Sequence, residues 1–179
     1  TRIHNKSEQP LYLQELGITN VKGQIISGKQ KKFKQIDEFL KIIENLENWK
    51  ARETPIRIID CGSGNAYLSF AMYHYFQEIL GKEVFLTGID IDAGAVERSR
   101  QRATNLGWEN IKFEVGNILG HILEQEPDIV LALHACDNAT DEALMKGITE
   151  NAKHIIAVPC CQQDLQKRMK KEDLHPLLK

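Results

Sequence analysis

The sequence predicts an α/β fold, in which a doubly wound parallel sheet carries helices on both faces. Beyond Pro55, short runs rich in β-branched residues alternate with longer amphipathic stretches. Each run has the length of a buried strand, and enough chain separates successive runs for a crossover helix. With 179 residues, the chain has room for one domain with one sheet. Alternation of this kind is typical of a parallel sheet between two helical layers.

The chain before Pro55 is expected to add a helix to the sheet. Residues 1–28 contain scattered glycines and one proline, so we interpret them as an irregular lead-in with a short helix around residues 12–16. From residue 29 to about residue 49, apolar side chains recur every three or four positions, which predicts an amphipathic helix. The predicted organisation is therefore a lead-in of residues 1–28 and a domain of residues 29–179.

Five strands and five helices are predicted beyond Pro55. The strands are residues 56–60, 84–90, 111–115, 129–133 and 154–158. The helices are residues 65–80, 93–106, 118–125, 140–152 and 162–171. Gly81 and Gly107 stand where glycines commonly end helices. The expected strand order is 3-2-1-4-5.

Composition and charge exclude several classes of protein. The chain has 23 Lys and Arg against 25 Asp and Glu, a net charge of -2, so nucleic-acid binding would need a local basic patch. The longest apolar runs have only a few residues, which excludes a membrane span. The four cysteines do not suggest a disulfide framework, and no apolar stretch follows the charged N-terminus. A cytoplasmic protein is expected.

The loop after the first predicted strand is the candidate ligand site, because open parallel sheets bind ligands beyond the carboxyl ends of their strands. Asp60 ends the strand, and Gly62 and Gly64 follow just before a helix. The glycines let the backbone approach a ligand, and the helix N-terminus presents N–H groups to an anion. Tyr67 holds the position of the third glycine of a dinucleotide fingerprint, and the chain has no P-loop pattern. NAD and ATP are therefore disfavoured, and a tight turn without a ligand is the alternative.

This loop resembles the first motif of class I S-adenosylmethionine-dependent methyltransferases, in which an acidic residue precedes the glycines and Ala66 is a tolerated third member. The resemblance implies a Rossmann-like fold and S-adenosylmethionine as the cofactor. It also implies that Asp60, Gly62 and Gly64 approach the methionine end. Asp90, at the end of the second strand, would accept hydrogen bonds from the ribose hydroxyls.

The resemblance places the adenine near the second and third strand ends. Ile91 follows Asp90 directly, and Asn117 and Ile118 come just after the third strand. The family usually has an acidic residue where this chain has Asn117. An asparagine can accept from the exocyclic amine and donate to a ring nitrogen. The alternative is that Asn117 only caps the helix predicted to follow it.

Two later loops resemble a less-characterised branch of the same family, which is marked by a His-Ala-Cys loop and a Pro-Cys-Cys loop. Here these are His134-Ala135-Cys136 and Pro159-Cys160-Cys161, and the resemblance covers nearly the whole chain. The thiols are similar in position to the paired cysteines of RNA 5-methylcytosine enzymes, in which one thiolate adds to the ring. A nearby histidine would lower the thiol pKa. We therefore predict catalytic roles for His134, Cys160 and Cys161.

Two other interpretations of these loops stay open. His134, Cys136, Cys160 and Cys161 include the ligand types of a zinc site, although adjacent cysteines rarely reach one tetrahedral ion, and no metal is predicted. The cysteines could also be small buried side chains that pack at strand ends. The fourth loop lacks the Asn/Asp-Pro-Pro-aromatic string of enzymes that methylate exocyclic amines, which disfavours that reaction.

The function predicted from the sequence is methyl transfer from S-adenosylmethionine, with RNA slightly favoured as the acceptor over a protein or a small molecule. The reason is a basic cluster at the start of the leading helix, which consists of Lys29, Lys31, Lys32 and Lys34. The same lysines could hold the cofactor carboxylate or form a solvated helix face. Two alternatives are a cofactor-binding module without turnover and a nicotinamide-dependent oxidoreductase.

The methyltransferase family has two further strands after the fifth. This chain ends after one more predicted helix, so we expect it to be truncated at its C-terminus. The fifth strand would then have an unpaired edge. An edge of this kind predicts self-association.

Overall fold

A computed structural model describes residues 10–133 and 138–158. Its five strands form one parallel sheet in the order β3-β2-β1-β4-β5. They are β1 (Ile56–Cys61), β2 (Val84–Asp90), β3 (Ile111–Val115), β4 (Ile129–Ala132) and β5 (His154–Ala157). The predicted Rossmann-like sheet and its strand order are confirmed, and each predicted strand end is within one residue of the observed one.

Five α-helices surround this sheet in the described residues. They are α1 (Leu11–Glu15), α2 (Gln30–Leu46), α3 (Tyr67–His74), α4 (Ala93–Asn105) and α5 (Asn138–Thr149). A 3-10 turn at Trp49–Ala51 follows α2, and a π-helical turn at Tyr75–Ile79 continues α3. None of the helices in residues 10–133 and 138–158 has the length and apolar character that crossing a bilayer requires.

The predicted helix at residues 118–125 is wrong. Residues 118–120 form a turn, and no helix follows before β4. The Asn117 side chain accepts hydrogen bonds from the backbone N–H groups of Leu119 and Gly120, as a helix N-cap would, but the chain continues only as a turn, in which Gly120 has low helix propensity. The predicted helix at residues 162–171 lies outside the described residues.

The helices pack on both faces of the sheet and form two cores. The larger core lies under α1, α2, α3 and α4, where Ile36, Leu40 and Phe70 pack against strand residues such as Ile58. The smaller core lies on the opposite face under α5, where Ala143 packs with Cys61, Ile89 and Ile118. The lead-in contributes to the larger core, because Tyr12, Leu13 and Ile18 are buried in it.

Strand β5 lies at one end of the sheet. Among the described residues it pairs with β4 alone, and all four of its residues are half-buried. The predicted self-association through this edge stays a prediction.

Candidate functional site

The loop between β1 and α3 has a backbone that favours glycine. Gly62 and Gly64 have φ angles of 73° and 51°, and Ala66 at the start of α3 has a φ of 53°. These left-handed conformations delay the helix, which begins at Tyr67, two residues later than predicted. The N–H groups of Gly62 and Ser63 donate to the carbonyl of Ile89, at 2.8 and 3.0 Å. The loop is therefore fixed against the end of β2.

Asp90 ends β2 and faces this loop. One carboxylate oxygen, Oδ2, accepts from the N–H of Gly64 at 2.6 Å, and the other, Oδ1, accepts from the N–H of Asp92 at 2.8 Å. A carboxylate oxygen can accept two hydrogen bonds, so each one has capacity for a further donor. The position predicted to hold a ribose thus carries an acceptor that the protein already orients.

Asp60 connects the strand before the loop to the helix after it. Its side chain is 4% exposed, and its Oδ2 accepts a hydrogen bond from the hydroxyl of Ser69 on α3. The pKa of Asp60 is raised to about 6, chiefly by burial; the Ser69 hydrogen bond opposes the rise and the nearby charge of Asp90 adds to it. The structure therefore places Asp60 beneath the loop, where it connects β1 to α3.

A cavity of about 230 Å³ lies beside the loop at the carboxyl edge of the sheet. Its walls come from the ends of β1, β2 and β3 and from one face of α5. The residues that line it are Gly62, Ile89, Asp90, Ile91, Gly116, Asn117, Ile118, Ala139 and Glu142. Five of the seven predicted cofactor-binding residues are in this lining. Of the other two, Gly64 donates its backbone N–H to the Asp90 carboxylate, and Asp60 is buried between β1 and α3.

The cavity has both apolar and polar groups. Ile91 is 82% exposed, so a large apolar side chain lies open to solvent, and Ile118, which is buried, also lines the cavity. The side-chain oxygen of Asn117 accepts from the N–H of Leu119 at 2.9 Å and of Gly120 at 3.4 Å. Asn117 therefore makes the backbone contacts that the capping alternative predicts, although they stabilise a turn and no helix follows, and its amide NH₂ can still donate.

Four lining residues were not predicted as contacts. Ile89 and Gly116 are neighbours of predicted residues, and a wider window around each motif would have included them. Ala139 and Glu142 belong to α5, far along the chain, and only the tertiary fold brings them to the cavity. No motif in the sequence marks them.

A buried lysine connects α5 to the loop between β3 and β4. Lys146 is 4% exposed, and its Nζ donates to the carbonyl of His121 and, at 2.8 Å, to Oε1 of Glu150. His121 in turn lies 3.5 Å from Glu114 on β3. These contacts hold the segment that carries Asn117 in place against α5.

The basic cluster lies near the glycine loop. The Nζ of Lys32 is 4.4 Å from the ring centroid of Tyr67, the first residue of α3. Burial and the charge of Lys29 lower the pKa of Lys32. The charge of Lys34 is partly neutralised by Glu38, whose Oε1 lies 3.5 Å from the Lys34 Nζ on the exposed face of α2.

The predicted catalytic residues His134, Cys160 and Cys161 lie outside the described residues, as does Cys136. The strands before them are described, and β4 and β5 pair in parallel with Ala132 opposite Ala157. Both loops therefore begin at the edge of the sheet that carries the cavity. Within residues 10–133 and 138–158, no group of three or more His, Cys, Asp or Glu residues could hold a metal ion.

Cys61 is the cysteine that the described residues contain, and it packs in the smaller core. Burial, followed by the charge of Asp60, raises the pKa of its thiol to about 12. The thiol therefore stays protonated at neutral pH and is no nucleophile.

A groove of about 400 Å³ lies on the face of the sheet that the absent helix at residues 118–125 would have covered. Arg57, Phe85, Lys112 and His121 contribute to its walls. None of the predicted cofactor-binding residues lines this groove, so the cavity at the carboxyl edge is the candidate site.

Comparison with known proteins gives a family for the chain. A family model described as a methyltransferase domain matches residues 31–168, which is most of the sequence. No curated protein matches the chain significantly. The family match supports methyl transfer over the nicotinamide-dependent oxidoreductase that the sequence had left open.

Solved structures with a similar fold include three methyltransferases. A putative sarcosine dimethylglycine methyltransferase from Galdieria sulphuraria has a TM-score of 0.52 at 18% identity, over 72% of this chain and 44% of that chain. An rRNA methylase from Streptococcus thermophilus has a TM-score of 0.49 at 14% identity, over 69% and 75% of the two chains. A SAM-dependent methyltransferase from Thiobacillus denitrificans, in complex with S-adenosyl-L-homocysteine, has a TM-score of 0.43 at 21% identity, over 60% and 43%.

This chain spans less than half the length of two of these three proteins. The likeness to the Galdieria protein supports the fold, and the family model supports the family. The chain belongs to the methyltransferase-domain family and has the fold of the class I S-adenosylmethionine-dependent methyltransferases.

Proposed function

We propose that the cavity at the carboxyl edge binds S-adenosylmethionine and that the chain transfers its methyl group to an acceptor. The observation that carries this proposal is the meeting of Gly62, Asp90, Ile91, Asn117 and Ile118 around one cavity. These residues come from three different strand ends.

The groups around the cavity fit the chemistry of that cofactor. Ribose hydroxyls are donors, and the Asp90 carboxylate has acceptor capacity left for them. An adenine ring is flat and largely apolar, and Ile91 and Ile118 offer apolar surface on two sides. The methionine carboxylate is an anion, which the glycine loop and the N-terminus of α3 can receive.

Most of the catalytic contribution of the chain is positional. S-adenosylmethionine supplies a methyl group that its sulfonium already activates. The residues of the chain bind the donor in one orientation and align the acceptor with the methyl carbon, which is the main source of the rate increase.

We also propose RNA as the acceptor, reached through the basic cluster Lys29, Lys31, Lys32 and Lys34. The position of the cluster supports this proposal, because Lys32 lies over the ring of Tyr67, next to the glycine loop. A phosphate backbone on these lysines would lie close to the cofactor loop. Binding by lysines predicts that RNA affinity falls as salt concentration rises.

For the chemistry at the acceptor, the proposal assigns a nucleophilic thiol to Cys160 or Cys161, with His134 as its base. The support is that β4 and β5, which precede these residues, end side by side at the edge that carries the cavity. A thiolate added to C6 of a pyrimidine ring would make C5 nucleophilic towards the methyl group; loss of the C5 proton to a base and elimination of the thiolate would then restore the ring.

Calorimetry and labelled-methyl transfer test the cofactor proposal together. The chain should bind S-adenosylhomocysteine with one site per chain and show no heat with NAD. Methyl-labelled S-adenosylmethionine should label one of three cell fractions: RNA, protein or small molecules. Binding of NAD alone would contradict the proposed cofactor. Binding of S-adenosylhomocysteine without transfer to any fraction would leave a cofactor-binding module.

Substitution of single cysteines tests the thiol proposal. Cys160→Ser and Cys161→Ser should leave affinity for S-adenosylhomocysteine intact, and one of them should lower transfer by orders of magnitude. Cys61→Ala is the matched control, since that thiol packs in the smaller core and should affect unfolding but leave transfer intact. Full transfer activity in both serine variants would contradict the proposal, and a stoichiometric metal released by thiol reagents would indicate zinc.

A further inference from the structure

We propose that Glu142 on α5 recognises the 6-amino group of the adenine in the bound cofactor. The inference rests on the proposed function, because it assumes that adenine occupies the cavity between Ile91 and Ile118. It assigns a base-specific contact to a helix that no cofactor motif in the sequence includes.

The first step is that Asn117 has no capacity left to accept from the amine. Its side-chain oxygen already accepts from two backbone N–H groups, those of Leu119 and Gly120. An amide oxygen has two lone pairs, so both are in use. The NH₂ of Asn117 can donate to a ring nitrogen, but the adenine amine is itself a donor and needs a different partner.

The second step is that Glu142 offers an acceptor in the same cavity. It lines the cavity together with Asn117 and Ile118. Its side chain is half-buried, and its carboxylate has no hydrogen bond or ion pair with any residue in the described part of the chain. An ionised carboxylate accepts hydrogen bonds and donates none, which matches an exocyclic amine.

The same carboxylate lies near the end of β1. Burial and the charge of Asp60 raise the pKa of the Cys61 thiol, the charge of Lys146 lowers it, and the charge of Glu142 makes a smaller contribution that raises it. Cys61 directly precedes Gly62, which lines the cavity together with Glu142.

The third step is that α5 holds Glu142 at a fixed distance from the adenine loop. Ala139, Glu142 and Lys146 are three and four residues apart, so they lie on one face of the helix. Lys146 bonds to the carbonyl of His121 in the loop that also carries Asn117. Ala139 has a small side chain, which leaves room for a ligand next to Glu142.

The test compares S-adenosylhomocysteine with its analogue in which hydrogen replaces the 6-amino group. Neither ligand has a charged sulfur, so attraction between Glu142 and a sulfonium cannot contribute. Removal of a hydrogen bond to a charged acceptor costs about 10- to 100-fold in affinity. The wild-type chain should therefore prefer S-adenosylhomocysteine by about that factor in calorimetry.

Glu142→Ala should lower affinity for S-adenosylhomocysteine by about 10- to 100-fold and leave affinity for the analogue nearly unchanged, so that the preference disappears. Glu142→Gln, which keeps an acceptor oxygen, should retain part of the preference. Asp141→Asn is the matched control, because it removes an exposed charge from the same helix outside the cavity lining. Thermal unfolding of each variant would identify a loss of affinity that comes from misfolding.

The outcomes separate this inference from the proposed function. A wild-type chain that binds neither ligand would overturn the proposed function and the inference with it. A wild-type chain that binds both ligands equally, or a Glu142→Ala variant that keeps the full preference, would overturn the Glu142 assignment alone.

Discussion

The Asp90 carboxylate illustrates how a single side chain supports both the fold and the proposed cofactor site. Its two oxygens bond to the N–H groups of Gly64 and Asp92, so it joins the glycine loop to the turn after β2. The same oxygens face a cavity where a ribose would bring two donors. Because the acceptor is oriented before a ligand arrives, less ordering is needed on binding.

Asp90→Ala should lower affinity for S-adenosylhomocysteine by about 1.5 to 3 kcal/mol, which calorimetry can measure. The change removes charge-assisted hydrogen bonds and loosens the glycine loop. Asp92→Ala is the matched control, because Asp92 caps α4 through the N–H groups of Gly94 and Ala95. That control should lower the free energy of unfolding by about 1 kcal/mol and keep ligand affinity. Equal affinities in wild type and Asp90→Ala would contradict the ribose assignment.

Asp60 should make stability depend on pH in a specific direction. Its pKa in the folded chain is raised from the ordinary 3.8 to about 6, chiefly by burial. The folded state therefore holds the proton more tightly than the unfolded state. The free energy of unfolding should fall by about 1 to 3 kcal/mol as the pH rises from about 4 to about 6, and this contribution should be constant above that range.

Asp60→Asn should abolish this contribution, since the amide stays neutral and can still accept from Ser69. Urea unfolding from pH 4 to 8 would measure the free energy of unfolding of the wild type and of the variant. The contributions of the other carboxylates are the same in both chains and cancel in the difference. The variant should be the more stable chain above about pH 6. A constant difference across the whole range would contradict the raised pKa.

At this scale the sequence predicted the residues that lie within motifs and missed those that do not. Asp60 and Asp90 lie at the ends of β1 and β2, and Gly62 and Gly64 follow β1; the carboxyl ends of parallel strands meet at one edge. Glu142 has no such signal, because its place in the cavity lining depends on how α5 packs.

Among the elements, β2 requires a glycine for close packing. A Cβ on Gly88 would lie 2.5 and 2.7 Å from ring atoms of Phe113 and 3.1 Å from the Cβ of Ser63. The Phe113 ring cannot move away easily, because it stacks on Phe70 with 5.5 Å between ring centroids. The strand therefore lies close to its neighbours just before Asp90.

Gly88→Ala should lower the free energy of unfolding by about 1 to 3 kcal/mol in urea, because the added methyl overpacks the core. Gly120→Ala is the matched control, since a Cβ there would meet atoms only at 3.9 Å and beyond. That control should change stability by less than about 0.5 kcal/mol. A Gly88→Ala chain as stable as the control would contradict the close packing.

Lys146 should control the mobility of the loop between β3 and β4. Lys146→Met keeps an apolar stem but removes the donor to the carbonyl of His121. The amides of Leu119 and Gly120 should then exchange with solvent about tenfold faster or more, because a charged hydrogen bond no longer opposes local opening. Hydrogen exchange measures this directly.

Lys41→Met is the control for that experiment. Lys41 pairs with Asp37 at 2.8 Å on α2, four residues apart like Lys146 and Glu150. Its loss should leave exchange at Leu119 and Gly120 unchanged. Unchanged exchange in Lys146→Met as well would show that the lysine does not hold the loop.

Strands were easier to predict than helix boundaries. The buried β-branched runs gave strand ends within one residue, because few other structures bury such a run. The predicted helix at residues 118–125 is absent although Asn117 makes the contacts of a helix N-cap, and the glycine at position 120, a poor helix former, lies within what would be its first turn. The late start of α3 follows from the positive φ angles of Gly64 and Ala66, which no apolar periodicity reveals.

For the whole molecule, the strand order explains the position of the site. β1 is the central strand, with β2 and β3 on one side of it and β4 and β5 on the other, so the strand order reverses at β1. The glycine loop, Asp90 and Asn117 come from β1 and its neighbours on one side, and α5 comes from the other side. β4 and β5 end at the same edge of the sheet as the cavity, and the residues proposed to act on the acceptor follow these two strands in the sequence.

A crystal structure of the chain with S-adenosylhomocysteine would show whether this cavity binds the cofactor. The account predicts ribose hydroxyls on the Asp90 carboxylate and the adenine between Ile91 and Ile118. It also predicts the homocysteine end near Gly62 and the N-terminus of α3. A ligand bound elsewhere on the chain, with this cavity empty, would contradict the account.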